Sequence, residues 1–150
     1  MSIADIRNYI HLSEKIASSG QPEAHEFMGI AKAGYKLVVN LAMPDSDFAI
    51  QEEESIVTAL GMSYVHIPVP FEAPTAEHLR QFLKVMQACS DQKVWVHCAL
   101  NYRVSAFLYQ YQRLVNGLPD EEAKKAMLET WEPDETWRAF IAMSGADIAL

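Results

Sequence analysis

The sequence predicts a single α/β domain over residues 1–150, built on a mostly parallel sheet of four to five strands flanked by helices. Short β-type segments alternate along the chain with segments of helical periodicity, which is the pattern of parallel strands joined by crossover helices. Half of the residues are hydrophobic, which is enough for one core. No internal repeat and no linker-like segment divides the chain, so we expect one domain.

Five short segments have the composition of strands. The first two flank the polar pair Ser13-Glu14 and could form a hairpin or two separate short strands. The other three are apolar runs bounded by turn residues, as expected for strands that are buried on both faces of a parallel sheet. The five segments are residues 9–12, 16–18, 36–41, 63–69 and 93–98.

Helical segments occupy the spaces between and after these strands. Pro22 suits the first position of a helix, Gly34 suits its C-terminal cap, and Thr75 suits the N-cap of a later helix. Two further helices are predicted after Pro119 and after Pro133. The apolar faces that define the helices are formed by Ala24, Phe27, Met28 and Ala31; by Ile50, Val57 and Leu60; by Leu79, Phe82, Leu83 and Met86; by Phe107, Tyr111 and Leu114; and by Trp137, Phe140 and Ile141.

Charge and composition narrow the classes of function. A formal net charge of −8 would repel DNA or RNA, so we expect no nucleic-acid partner. The apolar runs are too short to span a bilayer, and the N-terminus lacks the pattern of a secretory signal, which favours a cytoplasmic protein with no membrane partner. The two cysteines are expected to be reduced thiols. The histidines show no ligand spacing, so no metal or other cofactor is predicted.

One loop carries the candidate chemistry. The strand at 93–98 delivers Cys98 to the sheet edge where ligands bind in parallel folds, and a helix begins at about Arg103. The N–H groups and the positive dipole end of a helix N-terminus favour a thiolate and bind anions, and an arginine can bind two phosphoryl oxygens at once. The sequence therefore predicts attack of the Cys98 sulfur on a bound phosphate ester, giving a cysteinyl-phosphate that water hydrolyses. The predicted phosphate-binding residues are Ala99, Leu100, Asn101, Tyr102 and Arg103.

The residues of this loop resemble a known signature. His97-Cys98, followed by a short loop, Arg103 and Ser105, is similar to the signature of the protein tyrosine phosphatase superfamily, and in particular to its compact dual-specificity-type domains. Upstream segments resemble a bacterial phosphatase-like family that also occurs fused to β-lactamase-like hydrolase domains. These segments are residues 19–22, 33–41, 64–70 and 74–75.

The resemblance extends over residues 8–116 and implies a fold and a reaction. It implies a phosphatase-type sheet with flanking helices and a site that needs no metal. It also implies that Cys98 is the nucleophile, that Arg103 binds the phosphate and that Ser105 supplies the loop hydroxyl. The substrate would be a small phosphate ester or a phosphoamino acid, and the oligomeric state is left open.

The loop departs from the superfamily pattern in length and composition. Four residues separate Cys98 from Arg103, whereas the superfamily usually has five, and the loop contains no glycine. Ser105 lies seven residues after Cys98, as in the superfamily, so either the loop is one residue shorter or Arg103 has moved back one place, with Val104 in the usual position of the arginine. Asn101 is the loop residue that best tolerates a left-handed backbone conformation. Four residues is also the length of the rhodanese active loop, so a sulfurtransferase that carries sulfur on Cys98 is an alternative. A non-catalytic phosphate-binding module is the third hypothesis.

Other residues are candidates for the general acid or have an expected structural role. The general acid could be Asp45, Asp47 or Glu72, which follow two of the predicted strands. His97 is expected to be structural and to hydrogen-bond the loop. The acidic run at residues 52–54 is interpreted as a solvated helix face.

Overall fold

The computed structural model describes residues 2–150 and contains a sheet of five strands. The strands are β1 (Ile10–His11), β2 (Ile16–Ser19), β3 (Leu37–Asn40), β4 (Ser63–His66) and β5 (Val94–His97). They lie in the order β1-β2-β5-β3-β4; β1 and β2 pair antiparallel as a hairpin, and the other pairs are parallel. The prediction of a mostly parallel sheet is confirmed. β4 ends earlier than predicted: Ile67 and Val69, two residues apart, donate to the adjacent carbonyls of Asn40 and Leu41, so the regular register with β3 stops after His66.

The helices lie between and after the strands as the periodicity predicts, but Met28, predicted on an apolar face, is exposed, and Ile50 lies before the start of its predicted helix. They are α1 (Phe27–Lys32), α2 (Glu53–Ala59), α3 (Ala76–Ala88), α4 (Tyr102–Leu114), α5 (Asp120–Ala123), α6 (Lys125–Thr130) and α7 (Glu135–Ile141). Thr75 caps α3 as predicted, since its Oγ1 accepts the N–H of His78 at 3.1 Å. The helix predicted after Pro22 opens with a 3₁₀ turn at Ala24–Glu26, and the segment after Pro119 forms the two short helices α5 and α6.

Two apolar layers cover the sheet, one on each face. On one side Trp95 of β5 packs with Phe27 of α1, and both are fully buried. On the other side Phe82 of α3 meets Phe107 of α4 edge to face, with ring centroids 5.4 Å apart. The central strands β3 and β5 are buried along their whole length, which explains their apolar sequences. Between residues 2 and 150 no helix has both the length and the apolar character needed to cross a membrane.

The parallel arrangement brings four chain segments to one edge of the sheet. Strands β2, β3, β4 and β5 all run in the same direction, so the segments that follow them emerge side by side. The loop after β5 is the one that contains Cys98, and it lies centrally because β5 is flanked by β2 and β3. This edge is therefore the place to look for a binding site.

Candidate active site

Cys98 lies at the wall of a cavity at this edge of the sheet. The cavity has a volume of about 560 Å³, which is within the range of small-molecule sites. Cys98 itself is only 1 % exposed, so it contributes almost no open surface to the cavity wall. The residues that line the cavity are Met43, Asp45, Ser46, Asp47, Pro70, Phe71, Glu72, Cys98, Ala99, Leu100, Tyr102 and Arg103.

The backbone turns from β5 into α4 at Asn101. This residue has a φ of 71°, the left-handed conformation that the sequence assigned to it in place of a glycine. Its buried side chain points away from the cavity, and its amide nitrogen donates to the carbonyl of Asn8 at 2.8 Å and to Ser18 Oγ at 3.1 Å. Asn101 therefore shapes the loop through its backbone conformation and fixes that shape through its side chain.

Residues far upstream in the chain hydrogen-bond to the backbone of the loop, and no local sequence pattern predicts these contacts. Gln21 donates its backbone N–H to the carbonyl of Ala99 at 2.9 Å. The side-chain amide of Asn8 donates to the carbonyl of Leu100 at 2.9 Å. These two bonds tie consecutive carbonyls of the loop to the segments before β1 and after β2.

Arg103 joins the loops that follow β3 and β4. Its Nη1 donates to the carbonyl of Val69 at 2.9 Å, and its Nη2 lies 3.5 Å from Ser46 Oγ. The guanidinium carbon also lies 5.9 Å from the ring centroid of Phe71. Arg103 is only 6 % exposed, so these contacts hold a buried cation beside Cys98 in the wall of the same cavity.

The three candidate acids all reach the cavity. Asp45 and Asp47 come from the loop after β3, and Glu72 comes from the loop after β4. All three residues are exposed. The three carboxylates that the sequence offers as alternative general acids therefore lie on two loops at the same cavity.

Ser105 and Tyr102 form a small network with Trp131. Ser105 Oγ donates to the carbonyl of Tyr102 at 2.7 Å and accepts the indole N–H of Trp131 at 2.9 Å. The rings of Tyr102 and Trp131 are stacked, with centroids 4.7 Å apart and an angle of 2° between the planes. Tyr102 thus lines the cavity as an anchored aromatic wall, and the proton of the Ser105 hydroxyl is directed at the first turn of α4.

The acidic run contains a buried residue, so its interpretation as a solvated face is wrong for Glu53. Glu53 is 3 % exposed, and its carboxylate contacts His97 Nε2 at 2.5 Å and Gln21 Nε2 at 2.6 Å. Burial alone would raise the pKa of this carboxyl, but the charge of His97 and the hydrogen bonds from His97 and Gln21 hold it below its ordinary value.

A signal for this burial was present in the sequence. Glu53 precedes Ile56 and Val57 by three and four positions, which places it on the apolar face of α2, while Glu52 and Glu54 are exposed. His97, expected to hydrogen-bond the loop, has its Nδ1 3.1 Å from the carbonyl oxygen of Cys98.

Known proteins are similar to this chain in sequence and in fold. The family model described as a DSP-PTPase phosphatase fused to NAD+ kinase (PTP-NADK) matches residues 9–138. A β-lactamase hydrolase-like protein from Xylella fastidiosa is 27 % identical over 122 residues, which make up 79 % of this chain and 28 % of that protein. The chain therefore spans less than a third of the length of this relative.

Two solved structures show the likeness of the folds. A DUF442 protein from Shewanella putrefaciens CN-32, to which phosphatase activity is ascribed, has a TM-score of 0.87 and 32 % identity, covering 96 % of this chain and 95 % of that one. A Cys-to-Ser variant of Pseudomonas aeruginosa TpbA in complex with phosphotyrosine has a TM-score of 0.75 and 16 % identity, covering 99 % and 89 % of the two chains. The second likeness concerns the fold alone.

Proposed function

Since this chain belongs to the PTP-NADK family of DSP-PTPase phosphatases, we propose that it hydrolyses a phosphate monoester through a cysteinyl-phosphate formed on Cys98. The observation that carries this proposal is the presence of a thiol and a buried guanidinium, Cys98 and Arg103, in the wall of one cavity. That cavity lies where α4 begins, so the positive end of the helix dipole adds to the attraction for an oxyanion.

The reaction follows from this arrangement in two steps. The thiolate of Cys98 attacks phosphorus, the bond to the ester oxygen breaks, and the departing oxygen takes a proton from a carboxylic acid at the cavity. Water then attacks the cysteinyl-phosphate while giving a proton to the same carboxylate, the S–P bond breaks, and inorganic phosphate, the thiolate and the carboxylic acid result. Arg103 binds two of the phosphoryl oxygens, and backbone N–H groups of the loop bind the charge that develops on them.

The cavity fits a phosphate monoester larger than inorganic phosphate. Its volume of about 560 Å³ leaves room for an organic group beside the phosphate. Tyr102 and Phe71 supply aromatic surface to that space, and Trp131 holds the ring of Tyr102 in place. A phosphoamino acid or a small phosphorylated molecule is therefore the proposed substrate class, and the phosphotyrosine complex of the TpbA variant agrees with the first of these.

The test is hydrolysis of an aryl phosphate by the wild type, by Cys98→Ser and by Cys89→Ser. Cys89 is a matched control because it is also a free cysteine but lies at the end of α3, away from the cavity. We expect turnover in the wild type and in Cys89→Ser and its loss in Cys98→Ser, with all three proteins folded by circular dichroism. A folded, reduced wild type without turnover would defeat the proposal.

One observation favours sulfur transfer as a second candidate. The four residues between Cys98 and Arg103 match the length of the rhodanese loop, which carries a persulfide on its cysteine. Transfer of sulfur from thiosulfate to cyanide, lost in Cys98→Ser and found without ester hydrolysis, would establish this candidate in place of the first. Saturable binding of phosphate without either reaction would indicate the third hypothesis, a phosphate-binding module.

A further inference from the structure

The ring of His97 is held between two hydrogen-bond acceptors. Its Nε2 lies 2.5 Å from a carboxylate oxygen of Glu53, and its Nδ1 lies 3.1 Å from the carbonyl oxygen of Cys98. A peptide carbonyl has no hydrogen to give, so Nδ1 must be the donor in the second bond. The protonation of the ring then depends on whether Glu53 is ionised.

The surroundings of Glu53 favour the ionised form. Its second oxygen accepts a hydrogen bond from Gln21 Nε2 at 2.6 Å, and Glu53 lies in the first turn of α2, where the helix dipole stabilises a negative charge. An ionised carboxylate has no hydrogen either, so Nε2 of His97 must donate as well. His97 is then an imidazolium, and with exposures of 0 % and 3 % the two side chains form an ion pair shielded from solvent.

This ion pair is directed at the residue that carries the thiol. The donor from the positive ring ends on the carbonyl of Cys98 itself, while the negative carboxylate lies on the far side of the ring. Hydrogen bonds from an ionised donor are stronger than neutral ones, and the effect is larger where water is excluded. The positive end of the ion pair is therefore the end nearer to Cys98.

We propose that Glu53 is a positioning residue for the nucleophile: it keeps His97 as an imidazolium, and this cation, bonded to the Cys98 carbonyl, favours the Cys98 thiolate. The proposal rests on the proposed function only in that the thiolate is the reactive form of Cys98. Among the residues that the structure describes, the other charged groups beside the thiol line the cavity, and the Tyr64 hydroxyl faces Glu53. Arg103 also favours the thiolate, and the carboxylates of Asp45, Asp47 and Glu72 oppose it.

The variant Glu53→Gln separates the charge from the geometry. A glutamine can donate from its amide to Nε2 while Nδ1–H still donates to the Cys98 carbonyl, so the ring keeps its place but becomes neutral. Glu54→Gln is the matched control, because it removes the same charge from the next residue of α2 at an exposed position. Both variants are compared with the wild type after their folding has been checked by circular dichroism.

The measurement is the rate of alkylation by iodoacetamide against pH, with Cys98 and Cys89 resolved by peptide mass spectrometry. An opposite charge near a thiol shifts its pKa by about one to three units, and the carboxylate cancels part of this effect. We therefore expect the pKa of the Cys98 thiol to rise by about one unit in Glu53→Gln, so that Cys98 reacts about tenfold more slowly below that pKa. Cys89, and both cysteines in Glu54→Gln, should react as in the wild type.

The outcome is independent of turnover, so failure of this proposal and failure of the proposed function are distinguishable. An unchanged alkylation profile of Cys98 in folded Glu53→Gln would overturn the positioning role even if the protein is an active phosphatase. If Glu53→Gln does not fold, nitrogen-15 NMR of histidine-labelled wild type decides the matter at pH 7. Two protonated ring nitrogens on His97 are expected, and a neutral ring would overturn the proposal.

Discussion

Gly20 lies so close to Ala99 that a Cβ atom on Gly20 would stand 2.5 Å from the carbonyl oxygen of Ala99. Real Cβ atoms do not approach a backbone oxygen to this distance, so the position tolerates only glycine without movement of the chain. The next residue, Gln21, donates its backbone N–H to the same carbonyl at 2.9 Å. The segment after β2 thus packs backbone against backbone on the loop that contains Cys98.

Replacing Gly20 with alanine should destabilise the protein and disturb the loop. Overpacking of a buried site costs about 1–3 kcal/mol, and we expect a loss of this size in the free energy of unfolding measured in urea. Gly29→Ala is the control, because the nearest atom to its added Cβ would be Ile3 Cγ2 at an ordinary 3.6 Å. In helix α1 that change should leave stability equal or raise it by up to about 1 kcal/mol. Equal effects of the two substitutions would contradict this account.

The sequence predicted those parts of the site that local patterns determine. Strand β5, the start of α4 and the left-handed Asn101 follow from neighbouring residues, and all of these are present. The bond from Asn8 to Leu100 joins residues 92 positions apart and depends on the folded topology, so no local pattern could indicate it. The acidic composition of residues 52–54 predicts a solvated position for Glu53, whereas its phase on helix α2 places it among buried residues.

Replacing Arg103 with lysine should weaken phosphate binding while the positive charge is kept. Lysine cannot present the planar pair of donors, and it cannot hold the Val69 carbonyl in the same way. Hydrogen bonds to charged groups contribute about 1.5–3 kcal/mol, so we expect competitive inhibition by inorganic phosphate to weaken about 10- to 100-fold. Arg80→Lys is the control, since Arg80 pairs with Glu77 at the surface of α3. A Ki that is unchanged in Arg103→Lys would show that the guanidinium does not bind the anion.

The bond between Tyr109 and Asp120 should make part of the stability depend on pH. Tyr109 Oη donates to the Asp120 carboxylate and thereby ties α4 to the start of α5. This hydrogen bond lowers the pKa of Asp120, while burial and the same bond raise the pKa of Tyr109 to about 12. A carboxyl group with a lowered pKa adds stability above its unfolded pKa, and this contribution is lost as the pH falls through its folded pKa.

Tyr109→Phe should therefore be less stable than the wild type at pH 7, and the difference should shrink as the pH falls towards 3. The effect is expected to be small, because the Asp120 side chain is 56 % exposed. Urea unfolding at both pH values measures it. Tyr111→Phe on the same helix serves as the control, and its difference from the wild type should be the same at both pH values. A Tyr109→Phe difference that does not change with pH would contradict the assignment.

The general acid should be identifiable from how its removal changes kcat on substrates with different leaving groups. A phenolate with a high pKa needs a proton as it departs, whereas 4-nitrophenolate departs readily without one. Of the variants Asp45→Asn, Asp47→Asn and Glu72→Gln, we expect one to lose about 10²- to 10⁴-fold in kcat on phenyl phosphate and much less on 4-nitrophenyl phosphate. The other two serve as controls, because they remove the same charge from the same cavity. If all three retain wild-type kcat on phenyl phosphate, none of these carboxylates is the general acid.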